Sequence, residues 1–367
     1  VQDLIKANAA LLFAGIASFV LMGAGQSLYG PALPAFSRSF GVGLGVAGMM
    51  VSAHWIGCAV GVAGMFLFGA RITPRHVLVL MGLGSAMIAA GLGWYISLLG
   101  AVVFGAGYGC ATVVFNPRVL RAFGPRGPAM VSLLNATFGI GAIIAPLVFV
   151  AVGNDPRLAF AICGVLAVAI WLGAGAASRP EAAVSAKAPK PFRLHLPALS
   201  FSLVAIATEA CLIGLGPAAL IAAGETEVHA AQLLSLFFLT FLAARVVLTF
   251  VAHLIPSFSL HVLAVGGTAL AATGAALFDA GVFFVVIGLF AGMFFPSSYV
   301  TASRKMGEDP RVAPSIIAAG LVGGILAPLL LSPFLEQMGD RGFFWVVATV
   351  TGSAAIIGLT VLRPMNR

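Results

Sequence analysis

The run SLVAIATEACLIGLGPAALIAA, residues 202–223, holds a single charged side chain, Glu209. A carboxylate in so long an apolar run is expensive to keep ionised, and acids inside a membrane are read first as parts of proton or ion pathways. The next apolar run, 230–254, holds a single formal cation, Arg245. Burial favours the neutral form of a carboxyl, whereas a guanidinium within about 4–6 Å favours the charged form. Movement of Arg245 toward or away from Glu209 would therefore unload or load a proton. The same pair would equally serve as a static bridge between neighbouring helices, so both readings stay open at this point.

Uncharged polar residues in the other apolar runs are of the types that hold a solute. Gln26 and Tyr29 are three apart, on one helical face, and offer an amide and a hydroxyl. His54, followed by Trp55, brings the side chain that titrates nearest neutral pH when water reaches it. Tyr108, Asn116, Asn135 and Tyr299 complete the candidate solute contacts. The asparagines have a second reading as hydrogen-bonding glue between helices, and Tyr299 as a gate or interface anchor. Arg118, near the end of an apolar run, reads as a side chain reaching out to the interface.

Other chemistries lack their residues. There is no H-E-x-x-H, no G-x-S-x-G and no second acid to make a dyad with Glu209, so an enzyme is not expected. No G-x-x-x-x-G-K-[ST] loop is present for an ATP-driven pump. The four cysteines, Cys58, Cys110, Cys163 and Cys211, have no metal-ligand spacing and read as buried small residues, so neither metal nor cofactor is expected. GAGYG, at 105–109, has no strand–turn–helix context and reads as a site of close helix packing.

The elements that must position these residues follow from composition. The chain is 61% hydrophobic and 8% charged, against about 25% charged in soluble proteins, and so is expected to be an all-α polytopic membrane protein. Runs of about 20 apolar residues predict twelve spans, near 9–35, 44–68, 77–95, 98–119, 129–151, 158–176, 198–222, 230–254, 262–278, 281–303, 312–334 and 342–362. The first is too long for a signal-peptide core and is expected to be retained. SRPEAAVSAKAPKPFRLHLP (178–197) reads as a linker, giving a six-helix bundle over 1–177 and another over 198–367.

All but four of the 19 Lys and Arg fall on one side of these spans; Arg38, Arg157 and Arg341 lie on the other and Arg245 within. By the positive-inside rule both termini and the linker are cytoplasmic, in a cell inner membrane. The net charge of +8 follows from that rule and implies no nucleic-acid partner. Three tripeptides recur on matching spans: GPA at 30 and 216, HVL at 76 and 261, and APL at 145 and 327. Together they point to a parallel repeat of the two halves.

Over its whole length the chain resembles a major facilitator superfamily transporter, in its six plus six spans, charged central loop and cytoplasmic termini. The loop GARITPRHV (69–77) keeps the basic residues Arg71 and Arg75 of that family's signature but lacks its acid. The segments GAGYGCATVVFNPRVLRAFGPRGPAMVSLLNATFGIGAIIAPL (105–147) and GLFAGMFFPSSYVTASRKMGEDPRVAPSIIAAGLVGGILAP (288–328) are similar to the fucose-permease-like branch. Departures are also present. The acids that branch carries in its first and fourth helices are missing, and Ala145-Pro146 is followed by Leu147-Val148 rather than by the glycines of the antiporter signature. The resemblance implies a secondary active transporter working by alternating access, with its cavity at the membrane midplane between the halves. The reading is proton-coupled symport of a small polar organic solute by a monomer. Export of amphipathic compounds and a non-transporting sensor of the same fold are the alternatives.

Overall fold

The computed structural model describes residues 6–68, 71–175, 177, 192–307, 309 and 311–367. Its regular elements are helices: α1 (Ala9–Phe40), α2 (Leu44–Ala47), α3 (Met49–Phe68), α4 (Pro74–Ala90), α5 (Trp94–Ala122), α6 (Gly127–Ala151), α7 (Pro156–Gly173), α8 (Leu196–Ala222), α9 (Glu227–Val251), α10 (Ser257–Leu277), α11 (Ala280–Ala291), α12 (Phe294–Met306), α13 (Val312–Leu331), α14 (Gly342–Thr360) and α15 (Leu362–Asn366). Eleven helical stretches among the described residues are long and apolar enough to cross a membrane, with α2 and α3 counted as one and α11 and α12 as another; the apolar α4 is shorter. Most of the expected linker, 178–191, lies outside the described residues, as do Gly69 and Ala70 of the loop before α4.

Two compact units emerge, one of Val1–Val42 and Met49–Val184, the other of Gly43–Gly48 and Ser185–Arg367. In the first, α1 packs on α6, α3 on α5, and α4 on both α5 and α7. In the second, α8 packs on α13, α9 on α11, and α10 on both α11 and α14, while α12 rests on α8 and α10. The order of pairing repeats, and the GPA, HVL and APL tripeptides fall on helices that occupy equivalent places in it.

Lipid is as apolar as the interior, so what holds such helices together is close packing. The GAGYG stretch does this as its composition suggests. Gly57 and Gly61 of α3 lie against Val102 and Ala106 of α5, while Gly105 and Gly109 of α5 lie against His54 and Cys58 of α3; a Cβ on any of the four would strike the opposite carbonyl oxygen. Gly23 of α1 and Gly141 of α6 meet Phe138 and Val20 in the same reciprocal way. In the second unit an apolar cluster that includes Phe201, Phe258, Met306, Ile316 and Met365 joins α8, α10, α12, α13 and α15. Lys305 Nζ donates to Pro364 O at 2.6 Å and Asn366 Nδ2 to Ser259 Oγ at 2.8 Å, which ties α15 down.

Several boundaries differ from the sequence reading. The first helix passes Pro31 and Pro34 and ends at Phe40, because Gly41 (φ 63°) supplies the left-handed C-cap and its N–H bonds Ser37 O. The third and fourth spans separate at Gly91–Gly93, earlier than expected, where Gly91 closes α4 with φ 61° and Gly93 takes φ 142°. The tenth span is broken into α11 and α12. Finally, the short α2 belongs by its contacts to the second unit: Leu44 N donates to Glu336 Oε1 at 2.8 Å, and Gly45 and Gly48 press on Ser332.

The glycine contacts give a direct test. Gly105→Leu is expected to cost about 3 kcal/mol, the upper end for overpacking, read as a drop in the thermal midpoint of the detergent-purified protein. At Gly64, inside α3, a Cβ would meet nothing within 4 Å, so Gly64→Ala is expected to hold or slightly raise that midpoint.

Candidate functional site

Glu209 lies on α8, which needs no local acid to form: its run of Leu, Ile and Ala favours helix, His195 caps it by accepting from Ala198 N, and it continues through Pro217 to Ala222. The glutamate is half-buried, and its Oε2 is buried with no hydrogen-bond partner among the described residues. The charge acting on its carboxyl is that of Arg245. Arg245, on α9, sets its guanidinium carbon 4.3 Å over the Phe241 ring and donates from Nε to Gly292 O at 3.3 Å. The two charges seen in the sequence are therefore electrostatic neighbours, and the guanidinium also serves a backbone carbonyl of the broken tenth span.

In the first unit the candidate residues of three helices gather around one ring. His54 of α3 lies 5.2 Å from the Tyr29 ring of α1 and 5.0 Å from the Tyr108 ring of α5, with Trp55 at 5.6 Å and Phe104 at 5.9 Å. His54 and Tyr29 are each 1% exposed and Gln26 is 6% exposed. Both ring nitrogens of His54, Tyr29 Oη, Gln26 Oε1 and Ser52 Oγ are buried without a hydrogen-bond partner among the described residues. Buried polar atoms are nearly always satisfied, so each open one calls for a cause such as water or a bound solute. An amide oxygen accepts, hydroxyls do both, and a neutral imidazole does one of each, so this group can address an uncharged solute bearing donors and acceptors.

The remaining candidates are placed elsewhere. Asn135 Nδ2 donates to Asn116 Oδ1 at 3.2 Å and to Val131 O at 2.8 Å, a link between α6 and α5. Tyr299 is on α12, 5.4 Å from the Phe295 ring, packed against the apolar cluster of the second unit. Arg118 donates to Ala177 O at 2.8 Å.

Sequence reasoning passed over two features. His261 of α10 is fully buried, with Nδ1 3.3 Å from Ser297 Oγ and its ring flanked by Phe201 and Phe258. It sits at the repeat position of His76, which is exposed and closes a capping box with Thr73 at the start of α4. The other is the break of the tenth span, whose signal was present as a glycine four residues before a proline in GMFFP.

Helices of spanning length with polar side chains buried among them define a multi-pass membrane protein. A sequence profile of the Major Facilitator Superfamily matches residues 15–328, and the chain belongs to that superfamily of transporters. Its fold is shared with a D-xylose–proton symporter at 15% identity, over 95% of this chain and 96% of that one, with a TM-score of 0.73. The fucose:proton symporter FucP of E. coli matches at 16% identity over 97% and 98%, with a TM-score of 0.65. A peptide transporter, POT, in complex with sulfate matches at 12% identity over 99% and 95%, with a TM-score of 0.78. At such identities the likeness is one of fold. No curated protein sequence matches the chain.

Because both nitrogens of His54 are open, His54→Phe removes two unsatisfied atoms and keeps the ring stack. Stability is expected to hold or to rise by about 1–2 kcal/mol, measured by thermal unfolding in detergent. A marked loss would show that water already satisfies the imidazole.

Proposed function

We propose that the protein is a secondary active transporter that couples the uptake of a small polar organic solute to protons by symport. The carrying observation is the carboxyl of Glu209, whose Oε2 is buried with no hydrogen-bond partner among the described residues, on a helix packed against that of Arg245. A proton carrier needs a carboxyl oxygen that can take and give up a proton, and an oxygen without a bonded partner leaves that position open. Glu209 thus carries the proton, and Arg245 stabilises the carboxylate when the proton has left. The D-xylose–proton and fucose:proton symporters that share the fold support this reading.

In the same proposal α4 counts as the third span, giving twelve helices in two six-helix bundles over 1–177 and 198–367 with a linker at 178–197. The termini face the cytoplasm, the chain sits in the inner membrane as a monomer, and the site opens by alternating access. Gln26, Tyr29, His54 and Tyr108 contact the solute. Asn116, Asn135 and Tyr299 serve on the same path, the asparagines by holding α5 to α6.

The test is solute accumulation in proteoliposomes under an imposed pH gradient, the solute having been found by a thermal-shift screen of sugars, organic acids and siderophores. Glu209→Gln is expected to abolish accumulation above the equilibrium ratio while leaving solute exchange intact. Undiminished accumulation in that variant removes the coupling role.

A further inference from the structure

The tenth span is interrupted between Ala291 and Phe294. In a continuous helix the N–H of residue 296 would donate to the carbonyl of residue 292, but residue 296 is proline and has no N–H. Gly292 O is therefore left without its helical donor, and in hydrocarbon such a group must be satisfied from elsewhere. Arg245 Nε does so, at 3.3 Å. The approach is built in: at Gly288 and Gly292 a Cβ would collide with Phe237 O and Phe241 O of α9, so only glycine lets α11 press so closely on that helix. One turn and a half earlier, Thr240 Oγ1 donates to Val285 O at 2.8 Å, a second link from α9 to the α11 backbone.

We propose that Arg245 is a positioning residue that holds the joint between α11 and α12 by capping Gly292 O, and that the ionised carboxylate of Glu209 competes for the same guanidinium. The competition rests on the coupling role proposed above; the capping does not. With Glu209 protonated, Arg245 stays on Gly292 O and the joint is held. When the proton leaves for water, the carboxylate draws the guanidinium, the carbonyl is released and α12 is free to swing on Pro296. Among the described residues, the helices packed against α8 carry few titratable side chains. α11, α13 and α14 carry no titratable side chain; α9 has Glu227 and His229 at its opposite end, and α12 has Tyr299, Arg304 and Lys305. On α8 itself there are His195 at the N-cap and Cys211, and among all of these the charge that acts on Glu209 is that of Arg245.

Two measurements separate the capping from the coupling. The first is a thermal-midpoint cycle in a Glu209→Gln background, where no carboxylate can be orphaned. There Arg245→Leu is expected to lower the midpoint by several degrees, and by less than half as much in the Pro296→Ala chain, whose residue 296 regains its own donor. Equal losses in the two chains overturn the capping. Should the Pro296→Ala chain not fold, Arg245→Lys, which keeps a donor, is expected to hold the midpoint that Arg245→Leu loses; an equal loss in both again overturns it. The second is hydrogen exchange over 290–298, corrected for intrinsic rates. Protection is expected to fall severalfold from acidic to alkaline pH in the wild-type protein and to stay flat in Glu209→Gln. A flat wild-type profile overturns the competition, while accumulation in proteoliposomes independently decides whether Glu209 couples protons.

Discussion

A peptide group in hydrocarbon has no water to bond, and nearly every feature of this fold answers that constraint. It requires helices, and it makes the exceptions informative. The left-handed glycine after α1 closes the helix by bonding Ser37 O. The proline of the tenth span removes one donor, and a charged side chain from α9 supplies another. An arginine is a costly residue to place in a span, so its use on a backbone carbonyl beside the acid of α8 ties the helix joint to the electrostatics of that acid.

The same constraint explains why glycine matters more than large apolar side chains at several crossings. With no hydrophobic gain in leaving lipid, contact area and close backbone approach decide which helices pair. α3 and α5 interlock through four glycines, and α1 and α6 through two. This packing brings the backbone of α5 against that of α3 at His54, which sets the histidine among Tyr29, Phe104 and Tyr108. Gln26, Tyr29 and His54 are held by helix packing, and among the described residues Gln26 Oε1, Tyr29 Oη and both His54 ring nitrogens remain open.

The two units share an order of helix pairing and differ in chemistry. The first gathers neutral groups: an amide, hydroxyls and an imidazole. The second carries the acid and the guanidinium. His76 and His261 show how far equivalent positions have diverged, one exposed in a helix cap and the other fully buried among aromatic rings beside Ser297. A packing pattern constrains backbone spacing, not which polar group is used where, so a fold shared at 12–16% identity transmits the framework without the solute.

Much was legible in the amino-acid sequence because it depends on composition and order along the chain. The spanning helices and the isolated Glu209 and Arg245 follow from hydrophobic run length and the rarity of charge in lipid, the repeat from three recurring tripeptides, and the close packing at GAGYG from its glycines. What the sequence could not contain was which side chain meets which. The gathering of Tyr29, His54 and Tyr108, the pairing of Asn116 with Asn135, and the reach of Arg245 to Gly292 O join residues distant in the chain, through helix rotations that the run lengths leave free. The break after Ala291 belongs to both: Pro296 removes the donor by its covalent structure, but only the tertiary packing of α9 on α11 decides what takes the donor's place.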